Sequence, residues 1–411
     1  MILVENKQGL FLNIKTYLKN SSKLFDYSSK DITEINTFIE DPTYLTRKND
    51  NYIRVDKQAD IESKRGEELV FYIRKNKSQI YSFDSPVPFK NISFSRDNLN
   101  YLDNKMWYVL NSNNPNLTNQ NDDYYLCKND IIKMGNIKFS IKEIRIEQNQ
   151  EKEENISHYK KLNYDISLIN KEGGQIFNFC PELKKFYLSS EIANINNIYC
   201  NICDKKECYL DNPLISFCNC NNYTHFNCLK NKMKKSSTLI QNKDKAINTY
   251  CIKGIGCKKC NFGYPLKFQI KEKEQLYEFE LFRIDRPMEG NYIIFESIES
   301  RIFFGNIKFI SVIYLNDKEI TFGRGKNNDV DIMDPSISRV HAMVKLVEGK
   351  AIIKNCSEKY GTLVLVKKLI NINDNKIQLQ VGRTLIEARI IKYGEYNKLE
   401  LKNRKTIHKK Y

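Results

Sequence analysis

Nine of the chain's twelve cysteines fall between residues 200 and 260, and no other feature restricts the fold as much. Eight ligand-type side chains follow in order there: Cys200, Cys203, Cys218, Cys220, His225, Cys228, Cys257 and Cys260. They read C-x2-C, C-x-C, H-x2-C and C-x2-C, with 14, 4 and 28 residues between successive pairs. Zinc takes four tetrahedral thiolate or imidazole ligands, and pairs this closely spaced offer two ligands to one ion without backbone strain. Eight ligands therefore predict two structural Zn2+ ions with no open coordination position. The segment offers few apolar residues for a core of its own. Metal binding is expected to take its place, at about 10–16 kcal/mol of apparent binding energy per structural ion. Cys208 and Cys251 are left over as alternates. Cys127, Cys180 and Cys356 lie apart and read as ordinary thiols in a reducing compartment.

The remaining sequence reads as mainly β. Residues 1–42 form an N-terminal extension without a clear period. Segment 43–147 is short-stranded, and 148–194 is a linker rich in acidic and amide side chains. The cysteine module covers 195–270, strand-like sequence returns over 285–400, and 401–411 is a basic tail. "IIKMGNIKFSI" at 131–141 resembles "QLQVGRTLIEA" at 378–388, with Gly135 opposite Gly382. This faint repeat suggests that two β domains flank the cysteine module.

No window approaches eighteen consecutive apolar residues, so no membrane partner is expected. The opening "MILVENKQGLFLNIK" lacks the basic-then-apolar pattern of a signal peptide, so a location in the cytoplasm or nucleus is expected. The formal net charge of +16 would suit an anionic partner. Most lysines, however, are interleaved with acids, so nucleic acid is not expected as a partner.

Residues 331–349 read "DIMDPSISRVHAMVKLVEG". Ala342, Val344 and Leu346 alternate with Met343, Lys345 and Val347, as in a strand, and Glu348-Gly349 offers a hairpin turn. Ser338 and His341 stand just before that strand. A hydrolytic Ser–His pair would need a nucleophile elbow or an oxyanion glycine run, and neither is present. Gly323-Arg324 precedes this stretch, and Gly361-Thr362 follows it.

The order Gly323-Arg324, Ser338-x-x-His341, Gly361-Thr362 resembles the forkhead-associated (FHA) domain, a β-sandwich whose loops read phosphothreonine. The resemblance implies that Arg324 and Ser338 hold the phosphate, as a forked guanidinium and a hydroxyl donor suit a nearly dianionic group. It makes His341 an internal brace, with Gly323, Gly361 and Thr362 supporting the loops. Arg339 and Lys359 would stand at flanking phosphate or peptide contacts. Tyr360 occupies the place of the asparagine that normally grips the peptide backbone. A phosphothreonine-containing protein is the implied partner. The 43–147 region is read as a degenerate copy of the same fold. It holds no histidine, so it lacks the S-x-x-H brace.

The cysteine module resembles the RING-variant (RING-CH) finger and, in its four-residue gap before His225, the PHD finger. Both are cross-braced. The resemblance implies that Cys200, Cys203, His225 and Cys228 hold one ion, and Cys218, Cys220, Cys257 and Cys260 the other. Ile202 matches the apolar residue through which RINGs touch a ubiquitin-conjugating enzyme, which makes that enzyme a second implied partner. Ligase RINGs commonly carry a tryptophan where this chain reads "KNKMKK", a proline within the last pair, and an arginine where Asn261 stands. The expectation is thus a phosphothreonine-binding adaptor that selects phosphorylated targets for a RING-type ligase reaction without a covalent catalytic residue. The alternatives are a non-catalytic scaffold and a PHD-like chromatin binder.

Overall fold

The computed structural model describes residues 8–17, 26–48, 52–56, 67–75, 81–84, 105–110, 124–147, 187–188, 197–217, 220, 222–242, 246–254, 256–257, 259, 264–272, 275–298, 307–367, 370–372 and 376–399. Strands dominate them, and no described helix is long and apolar enough to cross a membrane.

The N-terminal strands are β1 (Gln8–Tyr17), β2 (Ile32–Ile39), β3 (Thr43–Lys48), β4 (Tyr52–Asp56), β5 (Glu67–Lys75), β6 (Tyr81–Asp84), β7 (Met106–Leu110), β8 (Tyr124–Tyr125), β9 (Ile131–Met134) and β10 (Ile137–Arg145). The middle supplies β11 (Tyr187–Leu188), β12 (Leu214–Ile215), β13 (Thr224–His225), helix α1 (Phe226–Lys235), β14 (Ser237–Gln241), β15 (Ile247–Lys253), β16 (Lys267–Glu272) and β17 (Gln275–Glu280). Then come β18 (Tyr292–Ser297), β19 (Ile307–Tyr314), β20 (Ile320–Gly323), β21 (Val330–Asp331), β22 (Ala342–Val347) and β23 (Lys350–Asn355). The last are β24 (Thr362–Leu365), β25 (Ile370–Ile372), β26 (Ile377–Val381) and β27 (Thr384–Lys392).

Two five-stranded sheets have matching orders, β25-β6-β5-β3-β4 and β8-β23-β22-β20-β21. Each packs on half of a twelve-stranded sheet ordered β14-β15-β19-β18-β10-β9-β24-β7-β26-β27-β1-β2. The result is two sandwiches that exchange their closing hairpins. β8, β9 and β10 come from the N-terminal part of the chain but complete the sandwich of β18–β24. β25, β26 and β27 come from the C-terminal part but complete the sandwich of β1–β7. The halves meet where β7 pairs with β24, with Tyr108 opposite Val364.

The faint repeat lies in these two hairpins. Gly135 and Gly382 turn them, both with φ of +56°, a backbone conformation that glycine adopts without steric cost. Alternation buries Ile132, Met134, Ile137, Phe139 and Ile141 in one sandwich and Leu379, Val381, Ile386 and Ala388 in the other. Five such side chains, at about 1.5–3 kcal/mol each, amount to about the whole net stability of an ordinary domain. The β9–β10 hairpin is therefore integral to the C-terminal sandwich.

Every residue of β18 is buried because both faces of that strand are covered. Ile293 and Phe295 enter the sandwich core, while Tyr292 and Ile294 face the cysteine module. Glu296 is buried between Lys142 of the exchanged β10 (3.0 Å) and Lys308 of β19. Burial opposes its charge, but the two ammonium groups prevail and bring its pKa down to about 2.

The cysteine module is fused to this sheet. Its β14–β15 hairpin extends the twelve strands past β19. Helix α1 buries Phe226, Leu229 and Met233 along one stripe, with Phe226 against Phe268 and Phe279. Its last turn carries Lys232, Lys234 and Lys235, which suit the negative end of the helix dipole. Phe226, Leu229 and Met233 share one apolar cluster with Ile215, Phe217, Tyr250, Ile252, Ile310 and Val312. The module thus has an apolar core, contrary to expectation from its own sequence, and the outer face of the sheet contributes Tyr292, Ile294, Ile310 and Val312 to it.

Candidate functional site

Two constellations stand out. The first begins at α1. His225 is its N-cap residue but makes no side-chain cap, because the ring is committed elsewhere. Asn212 Oδ1 accepts the Asn227 N–H (2.9 Å), and Pro213 O accepts the Phe226 N–H (2.9 Å). The His225 Nε2–H donates to Glu207 O (2.6 Å), which leaves the Nδ1 lone pair facing Cys203 Sγ at 3.2 Å and Cys228 Sγ at 3.9 Å. A carbonyl behind a metal-binding imidazole fixes its tautomer in this way.

The ligand atoms of Cys200, Cys203, His225 and Cys228 all lie within 4.8 Å of one another. Neighbouring ligand atoms around a tetrahedral zinc stand about 3.5–3.8 Å apart, so the donor set fits one ion. The His225 and Ile202 N–H groups, both 3.4 Å from Cys200 Sγ, stabilise a thiolate there. Burial and the neighbouring thiols push the Cys228 thiol up to about 12, because four crowded ligands cannot share negative charge without a cation. The structure therefore joins the first and third ligand pairs.

In the second expected set, Cys220 and Cys257 both pack in the α1 cluster, and Asn222 Nδ2 approaches Cys257 Sγ (3.8 Å). Cys218 and Cys260 lie outside the described residues. Cys208 accepts the Leu214 N–H (3.4 Å), and Cys251 is paired into β15 opposite Phe309.

The second constellation is built where three loops of the C-terminal sandwich meet. β20 ends at Gly323, where a Cβ would stand 2.2 Å from Arg339 O; only glycine lets the two loops touch. They are zipped by Arg324 N–H to Ser338 O (2.9 Å) and Gly325 N–H to Arg339 O (3.1 Å). Asn328 Nδ2 donates to Gly325 O and Arg339 O, both at 2.6 Å. Below lies His341, fully buried. Its Nδ1 accepts the Ser338 N–H (3.0 Å), and its Nε2–H donates to Gly361 O (2.9 Å). Burial lowers its pKa to about 4, so the ring is neutral and can make both bonds at once. Thr362 Oγ1 reaches Asn355 Oδ1 (2.9 Å) and His341 O (3.3 Å).

Arg324 and Arg339 are exposed, and neither guanidinium has an acidic partner among the described residues. Lys359 differs. It is ion-paired to Asp26 of the β1–β2 connection at 3.1 Å, while Tyr27 N–H donates to Lys359 O (2.9 Å). Asp26 resists the burial that would raise its pKa, because Ser28 and Lys359 hold its carboxyl below the ordinary value. Tyr27 also packs on Gly361, whose φ is +67° and whose added Cβ would meet that ring at 2.7 Å. From the other side, the turn of the exchanged hairpin supports the serine loop: Asn136 N–H donates to Ser336 Oγ (2.8 Å).

The family model for the FHA domain matches residues 320–386. This chain carries an FHA domain. No curated protein and no solved structure matches it. The match includes all three loops, and an FHA domain supports a phosphopeptide-binding function. It also includes β26 and the first part of β27, which pair with β7 and β1 of the other sandwich; the FHA core is closed instead by β9 and β10.

Sequence reasoning missed Asn328, the Asn136–Ser336 contact and four further contributors. Asp26 and Tyr27 reach the FHA loops only through tertiary folding. Ser357 is a buried serine in a turn, bonded to Ser338 Oγ at 2.7 Å, and carries no periodic signal. Asn355 is a strand-end amide that accepts the Ser357 N–H (3.1 Å). For Ser357 and Asn355, a signal was available in the run of turn-forming polar residues before Gly361.

Proposed function

We propose that this chain is a phosphothreonine-reading adaptor whose cysteine module is a structural zinc finger built onto the FHA sheet. One observation carries the reading: the neutral His341 locks the Ser338 and Gly361 loops together beneath two guanidinium groups that have no acidic partner among the described residues. A phosphate near two negative charges is well held by an arginine fork and a hydroxyl donor on a rigid base. Arg324 and Ser338 are assigned to the phosphate, Arg339 and Lys359 to its flank, and Tyr360 to the peptide side. Zn2+ would be held by Cys200, Cys203, His225 and Cys228, with a second ion on Cys218, Cys220, Cys257 and Cys260, and would supply fold stability only. The test is titration of the full chain with a degenerate phosphothreonine peptide library and its unphosphorylated twin. Selective binding of the phosphorylated library is expected, and equal binding of both would defeat the reading.

A second reading adds ligase activity. Ile202, the residue that the resemblance to RINGs assigns to a ubiquitin-conjugating enzyme, is 42% exposed and so open to a partner. Autoubiquitination with a panel of conjugating enzymes tests it. Activity lost in Ile202→Ala would support the reading, and no activity with any of them would remove it.

A further inference from the structure

We propose that Ser357 is a positioning residue of the phosphate site, which turns the Ser338 hydroxyl so that its proton faces the ligand. The inference rests on the phosphopeptide reading and goes one step inside it.

Ser357 is only 2% exposed, and among the described residues its Oγ has two hydrogen-bond partners. The Tyr360 N–H donates to it from 3.1 Å, and Ser338 Oγ lies 2.7 Å away. A backbone N–H can only donate, so the Ser357 oxygen accepts from Tyr360. Its own proton then needs an acceptor, since a buried hydroxyl proton left unmade is costly. Among the described residues, Ser338 Oγ is the acceptor within reach. The direction of the chain follows: Tyr360 N–H to Ser357 Oγ–H to Ser338 Oγ. Asn355 holds Ser357 in place from both sides, its Oδ1 accepting the Ser357 N–H (3.1 Å) and its Nδ2 donating to Ser357 O (3.0 Å).

The polarity of this chain decides what Ser338 offers. Were the Ser338 proton spent on Ser357, the hydroxyl would present only lone pairs to a phosphate, which is itself an acceptor. With Ser357 donating, the half-buried Ser338 keeps its proton for the ligand. That proton is also polarised by the bond its oxygen accepts. Tyr360 enters through its backbone alone, so this role is indifferent to the side chain that replaces the family's asparagine.

The test is a double-mutant cycle in the full chain, read by affinity for a phosphothreonine peptide and by thermal melting. Ser357→Ala is expected to weaken binding by about three- to ten-fold. In a Ser338→Ala background, the same change should have no further effect, because no hydroxyl remains to orient. A purely structural role would cost affinity in both backgrounds. Ser357→Cys, nearly isosteric but a weaker donor, should show the same coupling and serves if the alanine variant does not fold. Wild-type affinity in Ser357→Ala, or an undiminished loss in the Ser338→Ala background, would overturn the proposal while leaving the phosphopeptide reading intact. Failure of the wild-type chain to prefer the phosphorylated peptide would overturn both.

Discussion

Asp26 and Lys359 form an ion pair at 3.1 Å between the β1–β2 connection of one sandwich and the Gly361 loop of the other. Its consequence is competition. A phosphate that recruits Lys359 must draw it away from a carboxylate already in place. Asp26→Asn is expected to raise phosphopeptide affinity by about two- to three-fold, since an ion pair whose lysine is half exposed is weak. The gain should shrink as salt rises, because exposed charges are screened. Isothermal titration at low and high salt measures it, and a fall in affinity would show that Asp26 supports the loop more than it competes.

Arg324 and His341 should separate binding from bracing. Arg324→Ala removes one charge-assisted contact, worth about 1.5–3 kcal/mol, and should weaken phosphopeptide binding by roughly ten- to a hundred-fold with little change in stability. His341→Ala removes two buried hydrogen bonds and should lower the melting temperature as well. Acid should mimic it. The folded pKa of about 4 lies below the ordinary 6.5, so the unfolded chain takes up the proton first. The contribution of His341 is then complete above about pH 6.5, is lost as pH falls toward 4, and changes no further below that. Melting temperatures across this window, compared with His341→Ala, should converge at the acid end.

The FHA loops were legible because each depends on a local need. Gly323 and Gly361 answer close approaches, and the histidine three residues after Ser338 bonds back to its N–H. The joining of Cys200 and Cys203 with His225 and Cys228 was likewise anticipated, through the resemblance to cross-braced fingers. The exchange of hairpins was not legible. Both hairpins carry the same alternation and the same glycine turn, so the pattern alone does not assign either hairpin to its sandwich. A fragment spanning 285–400 leaves β8, β9 and β10 behind. It should be unfolded by circular dichroism, whereas the full chain shows a cooperative transition. Addition of residues 124–147 in trans should restore order.

Chelation should act locally. The site of Cys200, Cys203, His225 and Cys228 fixes the start of α1, but Leu229 and Met233 of that helix belong to an apolar cluster shared with β15, β18 and β19. Metal removal is therefore expected to expose amides over 197–230 to hydrogen exchange and to leave β18–β24 protected. Phosphopeptide affinity should change by less than about three-fold, a difference of well under 1 kcal/mol. Elemental analysis before and after chelation checks the premise, since a chain without zinc would show no such difference.

The last expectation tests whether the exchanged hairpin shapes the phosphate site. Gly135 and Gly349 both have positive φ, at +56° and +70°, so alanine costs about 1 kcal/mol of backbone strain at either. Their surroundings differ. A Cβ at Gly349 meets nothing within 4 Å, whereas one at Gly135 would stand 2.2 Å from Ser336 O. Ser336 lies two residues before Ser338, and its hydroxyl is held by Asn136 N–H and Asp334. Gly135→Ala must therefore push the serine loop, while Gly349→Ala strains only its own hairpin. Gly349→Ala is expected to lower stability and leave phosphopeptide affinity unchanged. Gly135→Ala should lower both, with an affinity loss of about ten-fold if the Ser338 contact is the one displaced. Equal affinities in the two variants would mean that the loop adjusts around the intruding methyl, and that the hairpin contributes to the fold alone.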